Sequence, residues 1–215
     1  MATTPTGTLF AIASAFAAAK TVTAISNASE GVVSCAAHGY TNGDLVQVYT
    51  GWGRLNRRIA KVKAATTDAF TLDSLNTTNT EFFPSGSSAG TVRKITSWQQ
   101  ISKILNPSAS GGDPKNIVVK YVDQEVEESL NDGFTAITEQ FEIDADEYGG
   151  AGYSAVQTLT DVQTDTVLKK TLRTGNIILT PCRIAINENV KMTDGQILTN
   201  MISVNGNGRI TRYAS

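Results

Sequence analysis

The chain has 215 residues and 40% hydrophobic content, enough for one large domain or two small ones. A formal net charge of −2 gives no general reason to bind nucleic acid, and no apolar run reaches the length of a membrane span. Cys35 and Cys182 are far apart in sequence, each within an apolar strand pattern, so two buried free thiols are expected rather than a disulfide framework. Charged residues make up 18%, and Thr, Ala, Ser, Asn and Gly fill much of the rest. That mixture favours strands joined by polar turns.

Thr8–Ala13 reads as a short buried strand. Leu9–Ala19 mimics a signal peptide but lacks a basic N-terminal region, so the protein is expected to be made and used without secretion. Val32–Cys35 is a strand, and Asn42-Gly43 is a tight-turn signal. Leu45, Val46 and Val48 form the next strand. Arg58–Ala64 alternates as another, with Ile59 off its apolar face. Thr67-Asp68 turns the chain into Ala69–Leu72, Thr77–Ser88 is polar loop, and Gly90–Ile95 closes the unit. Short strands with frequent turns indicate a small all-β module.

Trp98–Leu105 fits either a short helical segment or an irregular strand. Asn106–Lys115, rich in Pro and Gly, reads as loop. Ile117–Val122 is expected to be a central strand and Asp123–Gly133 an acidic loop. Ile137, Phe141 and Ile143 share a face in Phe134–Ile143. After the break at Gly149–Gly152, Tyr153, Val156, Leu159 and Val162 recur at helical spacing. Thr166–Leu172, Ile177–Ile186 and Gln196–Val204 are further strands. Asn205–Gly208 ends the last of them and leaves a short polar arm. The sum is mainly β: a sandwich with one flanking helix, interrupted after its first strand by a small all-β domain.

Charge is sorted along the chain. Tyr121–Glu147 holds ten of the 20 acids and no Lys or Arg, whereas Thr164–Ser215 has seven bases against three acids. Such sorting suits head-to-tail self-association, and it also suits ordinary solvated loops.

Enzyme readings find little support. His38 is the single histidine and lies in a turn. Cys35 and His38 have the spacing of half a zinc site, but Cys182 is the only other thiol. No strained nucleophile elbow is present for a Ser–His–acid triad. Gly149-Gly150-Ala151-Gly152 lacks the Lys-Ser/Thr ending of a phosphate loop. The acidic runs Glu125–Glu128 and Asp144–Glu147 do not define two carboxylates across a cleft. Trp52 and Trp98 offer stacking surface for sugars, although packed Trp is commoner. The sequons at Asn27 and Asn76 are chance matches in a chain that is not secreted. No cofactor is expected.

The order of elements resembles a known family. A short apolar N-terminal strand is followed, after the interruption, by Ile95-Thr96-Ser97-Trp98-Gln99-Gln100-Ile101. Then come a strand, an acidic segment, the strand after Phe134, a Gly-rich break into a helix, Ile177–Ile186, and Gly195–Val204. This is similar to the major tail tube proteins of long-tailed, non-contractile (lambda-like) bacteriophages. The interrupting segment, with His38–Val46, Asn56–Val62, Phe70-Thr71-Leu72 and Gly90-Thr91-Val92, resembles a β module found in phage structural proteins. That module is also similar to a non-catalytic β domain of ubiquitin-activating enzymes.

The resemblance implies a tail tube β-sandwich domain over 1–21 and 96–215, with an inserted small β domain over 22–95 on the tube exterior. It implies hexameric rings that stack head to tail into a conduit for DNA ejection, through which DNA passes without specific binding. The expected location is the virion tail, after synthesis in the host cytoplasm. Partners would be further copies of the chain, the tape measure protein, the tail terminator and tail tip proteins, with no membrane. Asp123, Glu125, Glu127, Glu128 and Asp132 fall in the segment that touches the neighbouring ring. Glu139, Glu142 and Asp144 are candidates to face the lumen, where acids repel phosphates. The alternatives are another virion component, such as a baseplate or adhesion protein, and a carbohydrate-binding module.

Overall fold

A computed structural model describes residues 5–214. Residues 1–4 and 215, at the outer ends of the ranges 1–21 and 96–215, lie outside the described residues. The first strands are β1 (Leu9–Phe16), β2 (Lys20–Val22), β3 (Ala24–Ile25), β4 (Val32–Ser34), β5 (Leu45–Thr50), β6 (Ile59–Lys63), β7 (Ala69–Leu72) and β8 (Gly90–Ile101). Then follow β9 (Ile104–Ser110), β10 (Pro114–Val119), β11 (Glu128–Phe134) and β12 (Thr138–Asp144). A single helical turn, Ala145–Glu147, precedes α1 (Ala151–Val162), and β13 (Thr166–Thr171), β14 (Ile177–Ile186), β15 (Thr199–Gly206) and β16 (Thr211–Tyr213) complete the chain.

The fold is mainly β, as expected, with one α-helix among the described residues. A fourteen-stranded antiparallel sheet has the order β3-β4-β7-β6-β5-β8-β1-β13-β14-β15-β12-β9, with β2 added on β8 and β16 on β14. β8 and β9 stand at opposite ends of the stretch that follows β5, yet only Ser102 and Lys103 join them. The sheet must therefore curl over on itself. Phe10 on β1 and Phe141 on β12, with three strands between them in that order, pack with tilted rings whose centroids are 5.5 Å apart.

Three clusters of buried side chains follow from this path. One lies within the 22–95 segment and includes Val33, Val46, Trp52, Phe70, Leu72 and Val92. A second fills the curl and includes Ile12, Ile101, Phe141, Leu168, Cys182 and Ile202, with Tyr153 and Val156 of α1 against it. The third joins the other two regions: Ile59 and partly buried Leu45 meet Ala13, Ile95, Val167, Leu179 and Tyr213. This explains why Ile59 stands off the apolar face of β6: its own side is also covered. β8 runs without a break through both regions. Its first half pairs with β2 and β5, and its second half pairs with β1.

The helix forms where its apolar stripe predicts, and Gln163 closes it in the left-handed conformation. The Gly-rich break has a packing reason. A Cβ on Gly152 would lie 2.4 Å from the Gln100 carbonyl oxygen, so the start of α1 approaches the β8 backbone too closely for any other residue.

Of the two readings open for Trp98–Leu105 the strand holds, spanning the end of β8 and the start of β9. Four expectations change. Asn106–Lys115, expected as loop, is largely β9 and the beginning of β10; Pro107 is tolerated because β9 ends the sheet. Ile117–Val122 is not a central strand: β10 pairs only with β11, in a separate two-stranded sheet. Consequently the second half of the expected acidic loop Asp123–Gly133 is strand β11. Residues 211–213 are no free polar arm, because β16 pairs with β14 and buries Tyr213.

Candidate assembly surface

The β10–β11 hairpin stands apart from the main sheet. Its register pairs Ile117 with Leu130, Val118 with Ser129 and Val119 with Glu128. Ile117, Val118, Tyr121, Val126, Leu130 and Phe134 are exposed, and Val122 is fully so. A lone two-stranded hairpin is marginal in water, and exposed apolar clusters of this kind mark contact surfaces. Asp123, Glu125 and Glu127 lie in the tip between the strands, and Glu128 opens β11. Asp132 sits near the base instead, 3.2 Å from Lys115 across the ladder. Four of the five acids expected in the contact segment are therefore gathered at one end of the arm.

The three other acids are paired within the subunit. β12 places Glu139 on the same side as Phe141 and Ile143, and Glu142 with Asp144 on the opposite side. Both oxygens of Glu139 accept from Lys170 Nζ at 2.6 Å, and Thr180 Oγ1 donates at 3.3 Å. Glu142 accepts from Lys191 Nζ at 2.7 Å and Asn106 Nδ2 at 3.0 Å. The Lys191 hydrogen bond, then that of Asn106, holds the Glu142 carboxyl below its ordinary value. Asp144 caps the turn at Ala145–Glu147, accepting from the Asp146 amide at 3.0 Å, and lies 3.8 Å from Lys103. Lys170 and Lys191 come from distant strands and loops, so nothing local in the sequence announces these pairs.

The residues weighed for chemistry have structural roles. The Tyr40 amide donates to His38 Nδ1 at 2.9 Å, so the ring proton sits on Nε2, facing the Ala69 carbonyl at 3.3 Å. Trp52 is buried and donates from Nε1 to the Pro84 carbonyl at 2.7 Å. Trp98 lies under Lys169 Nζ, 4.3 Å from its ring centre. Cys35 and Cys182 are free and buried, and burial pushes the Cys182 thiol up to about 12. Among the described residues no group of three or more His, Cys, Asp or Glu is placed to hold a metal ion.

A curled antiparallel sheet with a projecting hairpin and a single flanking helix defines a β-rich structural subunit. A family model described as "Phage tail tube protein, TTP" matches residues 50–215, and the chain belongs to that family. It is a structural subunit of a bacteriophage tail tube, a component of the virion tail. The match begins inside the 22–95 segment and runs on through β6, β7 and β8. No curated protein matches the sequence. Among solved structures, a chain from the tail of an empty GTA particle with C6 symmetry is similar at 10% identity and a TM-score of 0.44, over 54% of this chain and 87% of that one.

Proposed function

We propose that six copies of this subunit close into a ring and that rings stack head to tail into a conduit for DNA ejection. The observation that carries the reading is the β10–β11 arm, a two-stranded sheet separate from the main one that leaves a row of apolar residues and an acidic tip exposed. Asp123, Glu125, Glu127 and Glu128 supply the contact to the next ring, with Lys115–Asp132 stiffening the base of the arm. The free side of β9 supplies a second junction, since an unpaired strand edge is a template for pairing with a neighbouring copy.

Glu142 and Asp144 share the face of β12 that we assign to the lumen, and Glu139 supports it from behind. Glu139 pairs with Lys170 and Glu142 with Lys191, so neither lysine offers an unneutralised charge to the phosphates of passing DNA. Residues 22–95 form the inserted domain on the tube exterior, and residues 1–21 with 96–215 form the tube domain. The tape measure protein, tail terminator and tail tip proteins are the further partners, and the subunit is made in the host cytoplasm. It has no catalytic role.

Sedimentation velocity and negative-stain microscopy of the purified protein test this reading. Uniform tubes support it. Discrete closed oligomers would favour a baseplate or adhesion component, and a monomer that persists at high concentration would refute it.

A further inference from the structure

At the base of the arm lies a groove of about 790 Å³, bordered by the Gly53–Asn56 loop, the Gly133–Ile137 connection and the segment Gly206–Arg212. Arg54, Arg209 and Arg212 line it. Arg54 stacks over the Phe82 ring and Arg209 over the Phe134 ring, with guanidinium carbons 3.1 and 5.1 Å from the centroids. Stacking fixes the plane of a guanidinium and leaves its N–H edge available. Among the described residues none of these three arginines is within ion-pairing distance of a carboxylate. The one acid lining the groove, Glu139, is already taken by Lys170.

The same chain carries a segment of matching chemistry. The arm tip has four acids, Asp123, Glu125, Glu127 and Glu128, against Lys120 alone. Tyr121, Val122 and Val126 beside them are exposed, and the groove offers Phe134, Ile137, Ile178 and Ile210. The six residues of β10 at about 3.3 Å each hold the tip roughly 20 Å from the groove at the arm's own base. A tip cannot reach its own groove, but it can reach another subunit's.

We propose that the acidic arm tip of one subunit docks in the Arg54–Arg209–Arg212 groove of a second copy. The inference rests on the self-assembly reading above and assigns the surface that receives the arm.

Charge exchange in the full chain tests it. Arg209→Glu with Arg212→Glu, and separately Glu125→Lys with Glu127→Lys, are each expected to lower tube yield about tenfold or more, because like charges then face one another. Mixing the two variants is expected to restore contacts between them. Thermal melts that match the wild type will show that the subunits still fold. As a second readout, Glu125→Cys with Arg212→Cys is expected to give a disulfide-linked ladder from oxidised tubes, since Cys35 and Cys182 are buried. If wild-type protein forms no tubes, the self-assembly reading fails. If it forms tubes that the arm reversal breaks, while the groove reversal leaves yield unchanged and no ladder forms, the docking surface is wrong. Short duplex DNA whose affinity falls with the groove reversal, at unchanged tube yield, would also overturn the proposal and make the groove a nucleic-acid surface.

Discussion

Tyr213 Oη accepts the Lys61 backbone N–H at 2.8 Å and so ties the last strand of the chain to β6 of the 22–95 segment. The same hydroxyl donates to the Asp73 carbonyl at 3.3 Å. Burial pushes its pKa up to about 12, so the proton needed for the second bond stays in place at physiological pH. Asp165 adds a clamp nearby, pairing with Arg57 at 3.3 Å and Arg183 at 2.8 Å while its carbonyl accepts from Arg93 at 2.9 Å. Tyr213→Phe is expected to leave the Lys61 amide unsatisfied and to cost about 1–3 kcal/mol, read from denaturant unfolding. A variant as stable as the wild type would show that this bond does not hold the two regions together.

Replacing residues 21–95 by a short Gly/Ser linker from Lys20 to Thr96 would uncover Ala13, Val167, Leu179 and Tyr213, and would cut through β8. Exposed apolar surface of that kind drives association. The deletion is expected to aggregate, and polar substitutions at Val167 and Leu179 are expected to recover soluble protein. Smooth tubes from the plain deletion would show that the segment is a detachable decoration.

Glu139 and Lys170 have side chains 6% and 16% exposed. Breaking a buried ion pair by removing one partner costs about 3–5 kcal/mol, whereas replacing both by apolar residues is often near neutral. Lys170→Met is therefore expected to destabilise strongly, and Lys170→Met with Glu139→Leu much less. Equal losses in the two variants, measured by thermal unfolding, would contradict the pairing.

Glu142 predicts a pH effect. Its folded pKa lies below the ordinary value of 4.5, so its contribution to stability is present above that value and is lost as pH falls through the folded pKa. Glu142→Gln is expected to flatten the acid limb of the stability curve below that value. An unchanged acid limb would show that the Lys191 pair carries no stability.

Legibility followed range of interaction. Ile177–Ile186 is legible at its observed bounds because its apolar run is set by its own residues. The α1 stripe of Tyr153 and Val156 was readable for the same reason. The arm is not legible, because an apolar run such as Ile117–Val119 normally means a buried strand, and here its partner β11 is polar and acidic. Likewise Pro107 and Pro114 suggested loop, although strands that lack a neighbour on one side tolerate proline. The acids of the arm tip were visible as composition. The groove was not, since Arg54, Arg209 and Arg212 meet only after the 22–95 segment packs against the C-terminal strands.

Cryo-electron microscopy of tubes grown from the purified protein measures ring symmetry and arm contacts together. The expected map has sixfold rings stacked head to tail, with residues 120–128 of each subunit seated on a neighbouring copy and β12 facing an open bore. Rings of another symmetry, or arms that project into solvent without touching another subunit, would contradict it.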